Sequence, residues 1–307
     1  MSVAPVSANL RGAAFMISSM LAFAVEDVLI KILGARIPAG QIIAVIGGGG
    51  ALAFAGWFIA KGQPVFVPAH RNPRVLLRTL FEVLGTLFFI SALMRMDVTQ
   101  LSAIIQTTPL VVAMGGAIFL GQTVGWRRWA AILVGFGGVL LIIRPGLDGV
   151  SVATLFGLAG MFGLAGRDLV TRALTVDISG AHLSLHAFIA LVPAGVFLIW
   201  INGETLMVPS LNDSFILVGC VLVALLAYLS IVAATRAGDA AFISLFRYTR
   251  MIFALILGVF VLGETPDTLM LVGAAIVIGA GLFTLIREAR VKRAARRHPS
   301  QAAPKPL

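Results

Sequence analysis

Leu120-Gly121-Gln122-Thr123 returns about 142 residues later as Leu262-Gly263-Glu264-Thr265, and this recurrence decides the architecture. In the same register Asp97 returns as Asp239 and Gly137 as Gly279. One residue out of it, Asp27-Val28-Leu29-Ile30-Lys31-Ile32-Leu33 returns as Asp168-Leu169-Val170-Thr171-Arg172-Ala173-Leu174. The chain is therefore two related halves, each holding about five apolar segments long enough to cross a bilayer. An odd number of crossings per half inserts the second copy upside down, which is the inverted-repeat plan of many secondary transporters.

Composition agrees. Of 307 residues, 59% are apolar and only 12% charged, against about a quarter charged in soluble domains; the mean hydropathy is +1.03. A helix needs roughly 20 mainly apolar residues to span about 30 Å of hydrocarbon. That ruler predicts ten spans, near Gly12–Gly34, Ala39–Ala60, Val75–Leu93, Val98–Leu120, Trp126–Ile143, Val152–Leu174, Ala181–Ile201, Phe215–Thr235, Ala240–Leu262 and Leu269–Ile286. The expected division is a short head (1–10), repeats over 11–145 and 146–287, and a basic tail (288–307).

Lys and Arg set the orientation. With the N-terminus inside, the inner segments hold Arg11, Lys61, Arg71, Arg74, Arg78, Arg127, Arg128, Arg236 and the tail from Arg287 to Lys305. The outer loops near Glu204–Asp213 and Glu264–Asp267 hold no basic residue. Both termini are expected in the cytoplasm, with Asp148 and Asp213 outside. The net charge of +10 then reads as topology plus attraction to anionic lipid instead of nucleic-acid binding. His298–Leu307 is read as a disordered tail.

Other classes lack their signatures. Arg11 and Ala22-Phe23-Ala24 imitate a signal peptide, but the segment recurs in mid-chain at Leu164–Asp168, so it is expected to stay as a helix. Cys220 is alone, which rules out an intramolecular disulfide. No Gly-x-x-x-x-Gly-Lys-[Ser/Thr] exists to cradle nucleotide phosphates. No cofactor is implied, and no metal: His182 and His186 share a helix face but lack a third ligand nearby.

Ionisable residues at membrane depth cost several kcal/mol on insertion scales and are functional candidates by default. Asp27 and Lys31 lie four apart on one helix face, as do Asp168 and Arg172. In an inverted repeat the two pairs fall at opposite ends of a pathway, where two gates would stand; the alternative is a pair of interfacial salt bridges whose basic partners snorkel. Arg247 and Arg250, three apart, could hold a substrate anion or neutralise Glu26 or Glu82. In the matching fourth span Gln106 precedes Pro109, whose missing N–H loosens the backbone where a wet cavity tolerates it. Arg247, Tyr248, Gln106, Glu82 and Glu26 are the cavity candidates; Asp27, Lys31, Asp168 and Arg172 are the gate candidates.

From Arg11 to about Arg287 the chain resembles the drug/metabolite transporter superfamily in its ten-helix EamA branch, through the duplicated Leu-Gly-Gln/Glu element. The resemblance implies an all-helical fold, with helices one to four and six to nine around a cavity and the fifth and tenth at the periphery. Asp27-Val28-x-x-Lys31 and Phe246-Arg247-Tyr248, followed by Leu262-Gly263-Glu264-Thr265-Pro266-Asp267, look like bacterial vitamin and metabolite importers of the riboflavin and S-adenosylmethionine groups. The leading expectation is a secondary carrier of a small organic solute in the bacterial inner membrane, with riboflavin first and an S-adenosylmethionine or amino-acid-like metabolite second. An exporter on the same scaffold is the nearest rival. A membrane enzyme would need a nucleophile–base pair or ligand cluster at depth, and neither is visible; a structural subunit would gain little from two intramembrane arginines. Partners are the solute and lipid, with homodimer formation left open.

Overall fold

The computed structural model describes residues 6–122, 125–144, 150–237 and 240–297. Thr123, Asp148, Asp239 and 298–307, which the sequence reading used, lie outside them. All regular structure among the described residues is helical. The protein is an all-α integral membrane fold of ten candidate spans, which we label in chain order α1 (Ser7–Leu33), α2 (Ala39–Ala60), α3 (Pro73–Leu93), α4 (Val98–Phe119), α5 (Trp126–Ile143), α6 (Val152–Arg172), α7 (Gly180–Ile201), α8 (Leu211–Ala234), α9 (Ser244–Leu262) and α10 (Thr268–Arg287). The long apolar runs force this outcome, because inside a bilayer only a helix satisfies every backbone group from within its own segment.

The packing carries the two-fold relation seen in the sequence. The extensive contacts are α1 with α8, α2 with α7, α3 with α6, and α5 with α10; α4 crosses α9. Exchanging the halves converts the α1–α8 contact into α6–α3 and each of the others into itself. Glycines allow these close approaches: a Cβ on Gly163 would meet the Gly85 backbone at 2.5 Å. Ile42, Leu93, Val98 and Ile104 stand in the core between the halves, at 1% exposure or less.

The duplicated Leu-Gly-Gln/Glu element has a physical explanation. Gly121 and Gly263 adopt φ of +62° and +70°, a left-handed conformation that ends a helix readily only in glycine. In both halves the next amide bonds back to the helix, Gln122 N–H to Gly116 O at 3.0 Å and Glu264 N–H to Gly258 O at 2.9 Å. The side chain is thereby folded under its own helix, against the bare Cα of Gly116 or Gly258. The Glu264 carboxylate then accepts the Val98 and Thr99 amides at 2.6 and 3.0 Å, capping the N-terminus of α4 where unpaired N–H groups and the helix dipole favour an anion. Asp97, the N-cap residue, consequently makes no side-chain cap of its own. Burial and the facing Glu264 carboxylate hold the Asp97 carboxyl above the ordinary carboxylate value, against the pull of Lys31.

Both α4 and α9 are broken, at the same repeat position. α4 runs as Val98–Ile105 and Thr108–Phe119; in α9 a 3₁₀ turn, Ser244–Tyr248, precedes the α-helix Thr249–Leu262. Pro109 explains the first break, whereas α9, expected as one continuous helix, has no proline there. What the halves share is a threonine in register. Thr107 Oγ1 donates to Ile104 O at 2.6 Å and Thr249 Oγ1 to Phe246 O at 2.7 Å, a local bond that competes with the helical ladder.

Candidate functional site

Between the halves lies a cavity of about 350 Å³. It is lined from α1 to α4 and α6 to α9 and receives nothing from α5 or α10, which pack on each other at the periphery. Thr171 and Gly180, at the ends of α6 and α7 that share a membrane face with the N-terminus, belong to its wall. Toward the other face Leu33, Ile37, Ile42 and Leu93 pack at 3% exposure or less. The cavity therefore opens toward the N-terminal face and is shut at the opposite one.

Four carboxylates, Glu26, Asp27, Glu82 and Asp168, and four guanidinium groups, Arg78, Arg167, Arg247 and Arg250, line it, so that its formal charge is zero. Glu82, 1% exposed, is held between Arg78 at 2.7 Å and Arg167 at 2.8 Å, and Tyr228 donates its hydroxyl to it at 3.3 Å. Arg167 also reaches Asp168 at 2.8 Å, and Arg247 approaches Asp168 at 3.5 Å. Asp27 is paired with Arg250 at 2.7 Å. Charges at such depth persist when paired and hydrogen-bonded.

The two gate pairs expected from i, i+4 spacing do not form. Lys31 instead donates to Leu93 O and Met96 O at 2.8 and 2.9 Å, two carbonyls at the C-terminal end of α3 that lack helical partners and attract a cation. Arg172 is exposed at the end of α6, while the Asp168 carboxylate turns to Arg167 and Arg247. Shared helix face is a weaker constraint than a guanidinium arriving from a neighbouring helix with several donors in a rigid fork.

Of the cavity candidates, Arg247, Gln106, Glu82 and Glu26 line the wall. Gln106 Nε2 donates to Arg247 O at 3.3 Å, joining the breaks of α4 and α9. Tyr248 does not line it: its ring is buried and its hydroxyl lodges against Gly281 of α10. Arg247 and Arg250, three apart where the 3₁₀ turn passes into the α-helix, both reach the cavity, while the intervening Tyr248 faces away.

Sequence reasoning missed Arg78 and Tyr228 as cavity residues. Tyr228 is the centre of an aromatic wall, with Phe23 edge-on at 5.6 Å and Phe188 at 4.9 Å, and the Arg250 guanidinium lies over Phe23 and Phe89. His182 and His186 are joined by His70 from the α2–α3 loop, whose ring stacks on His186 at 5.0 Å. Burial pushes the His70 imidazole below its ordinary value. No group of three or more side chains suited to a metal ion exists among the described residues.

Residues 10–144 and 151–286 each match the EamA-like transporter family. The chain is 26% identical to a riboflavin transporter of Rhizobium johnstonii over 92% of its own length and 93% of the relative's. It is 27% identical to a riboflavin transporter of Vibrio cholerae over 71% and 73%, and 26% identical to an S-adenosylmethionine uptake transporter of Rickettsia prowazekii over 95% and 97%. A solved crystal structure 16% identical in sequence shares the fold with a TM-score of 0.60, over 91% of this chain and 98% of that one. The chain belongs to the EamA-like transporter family, within the drug/metabolite transporter superfamily, and is a multi-pass membrane transporter.

Proposed function

We propose that this EamA-like transporter is a secondary carrier of a small organic metabolite in the bacterial inner membrane, taking up riboflavin by alternating access. The observation that carries the reading is a charge-balanced cavity walled by Phe23, Tyr228 and Phe188, at the junction of two broken helices. Riboflavin is uncharged, with a flat aromatic ring system that stacks favourably on such a wall and polar edges that Arg247 and Gln106 can bond. Relatives named as riboflavin transporters support it. The cluster of Lys and Arg on the N-terminal face supports cytoplasmic termini, and on that reading the state described here is open inward. The repeats 11–145 and 146–287 exchange roles as access alternates, with Asp27 and Asp168 near the two gates.

The test is uptake of labelled riboflavin, S-adenosylmethionine and amino acids by proteoliposomes holding only this protein. Riboflavin uptake that Arg247→Ala abolishes, with protein still in the membrane, and that Arg247→Lys does not fully restore, is the expected result; uptake of other solutes but not riboflavin overturns the substrate. Labelling of Asp213→Cys only from the cytoplasmic face overturns the orientation. A second reading, a carrier of a cationic metabolite such as S-adenosylmethionine, draws on one feature: Glu26 lines the cavity with no ion pair or hydrogen bond among the described residues.

A further inference from the structure

Every carboxylate of the cavity but one is matched by arginine. Asp27 has Arg250, Glu82 has Arg78 and Arg167, and Asp168 has Arg167 and Arg247. Glu26 has neither an ion pair nor a hydrogen bond among the described residues. The repeat shows that this is a departure from symmetry. Asp27 corresponds to Asp168, so Glu26 corresponds to Arg167: where the second half carries the guanidinium that bridges Glu82 and Asp168, the first half carries an unopposed carboxylate.

The groups around Glu26 offer no replacement. Asp27 on the same helix repels it, and Cys220 and Tyr228 face it from α8. Arg250 from α9 is within electrostatic reach but is bonded to Asp27. α4 contributes Ile105, Gln106, Thr108 and Pro109 to the wall, none of them ionisable. In the open cavity, water can solvate the Glu26 carboxylate. When the cavity closes during alternation that water must leave, and occluding an unpaired charge costs several kcal/mol. The same penalty is absent if the carboxylate enters the occluded state carrying a proton.

We propose that Glu26 is the coupling site of this carrier: one proton binds its carboxylate from the extracellular side and is released to the cytoplasm with each solute taken up. An O–H bond forms on the Glu26 carboxylate at the outward-open face and breaks to cytoplasmic water at the inward-open face, so charge and protons balance without any other reactant. The proton licenses closure around the solute; the empty carrier returns outward with the carboxylate ionised, its charge then met by Arg250 as the Asp27 pair loosens, so that one proton crosses in each cycle. This deepens the uptake reading and rests on it for the identity of the co-transported solute.

The experiment uses the full chain in proteoliposomes, with an acidic exterior, a clamped membrane potential and labelled riboflavin. One proton per solute lets a gradient of one pH unit sustain about tenfold accumulation. The expected result is that wild type approaches this ratio, that Glu26→Asp retains it, and that Glu26→Gln loses it, accumulating no more than the external concentration. Accumulation by Glu26→Gln equal to wild type overturns the proposal, as does uptake of a cationic solute by wild type with no dependence on the proton gradient. If riboflavin is not carried at all, the uptake reading fails separately. Coupling is then read without solute, from pH-difference infrared spectra of the purified protein. A protonated-carboxyl band present in wild type and absent from Glu26→Gln supports the site, and identical spectra overturn it.

Discussion

The two aspartates related by the repeat stand in different surroundings. Asp27, 3% exposed, is locked to Arg250 at 2.7 Å on the side of the cavity that is shut. Asp168, with a side chain 22% exposed, meets Arg247 at 3.5 Å on the side that is open, and Arg247 itself is 35% exposed. Both arginines come from the broken helix α9. Duplication has kept the aspartate in each half, but α9 of the second half supplies both arginine partners, one pair being tight and the other stretched. If the two pairs close opposite sides of the cavity in turn, the inequality should be reversed in the opposite state. The neighbouring position, Glu26 against Arg167, differs in charge itself and cannot be exchanged by any motion.

The largest effect should come from Glu82, which anchors the open side through Arg167. Removing it leaves Arg78 and Arg167 facing each other in a buried site with no carboxylate between them, and losing one partner of a buried pair costs about 3–5 kcal/mol. Glu82→Ala is expected to lower the Tm of the purified protein and its level in the membrane sharply, and Glu26→Ala, which breaks no pair, to lower them little. Equal losses would remove the distinction between a paired and an unpaired cavity carboxylate.

Next in size is the response of the gates. Asp27→Asn weakens the closed side and is expected to shift the protein toward the outward-open state; Asp168→Asn removes the contact needed to close the open side and should hold it inward-open. The readout is thiol-reagent accessibility of Thr86→Cys in the cavity wall, on a Cys220→Ala background, with reagent supplied from each face in turn. Shifts in the same direction, or none with transport intact, would leave both pairs as structural salt bridges.

The number of helices and their inverted relation were legible because membrane length and repetition act on whole segments, whereas the peripheral place of the fifth and tenth was implied only by the family resemblance. The break at Gln106 was legible through Pro109. Its counterpart at Tyr248 was carried only by Thr249 in register with Thr107, a signal too small to read without the backbone. The gate partners were misread for a different reason: i, i+4 spacing tells which residues share a face, whereas Arg250 reaches Asp27 from a helix more than two hundred positions away. Glu26, Glu82 and Arg247 could be named as intramembrane charges from the sequence alone. Which of them is left without a partner depends on where each neighbouring helix ends up.

A smaller effect should expose what the halves still have in common. Gly121 and Gly263 share the left-handed conformation, and each has open space where a Cβ would stand, so alanine there meets only backbone strain. That strain is about 1–2 kcal/mol for an L-residue. Gly121→Ala and Gly263→Ala are expected to lower Tm by similar amounts; a much larger loss for Gly263→Ala would show that the Glu264 cap on α4 depends on the turn more than Gln122 does on its own.

The smallest effect is expected at the rim, where Arg144 at the end of α5 pairs with Asp267 just before α10. Both side chains are exposed, at 42% and 55%, and an exposed pair is largely screened by water and salt. The hydrogen bond from Arg144 holds the Asp267 carboxyl below its ordinary value of 3.8. A carboxyl whose folded-state value is depressed contributes stability at any pH above its unfolded value, and loses it as the pH falls through the folded one. Asp267→Asn should therefore change Tm only slightly at pH 7, with the difference from wild type vanishing as the pH falls below about 3.8. A deep pair should behave otherwise, since Asp27→Asn disturbs a contact closed off from solvent. A Tm loss for Asp267→Asn as large as that for Asp27→Asn would mean that depth in the membrane does not set the worth of these pairs, and the contrast between the two ends of the cavity would then rest on their distances alone.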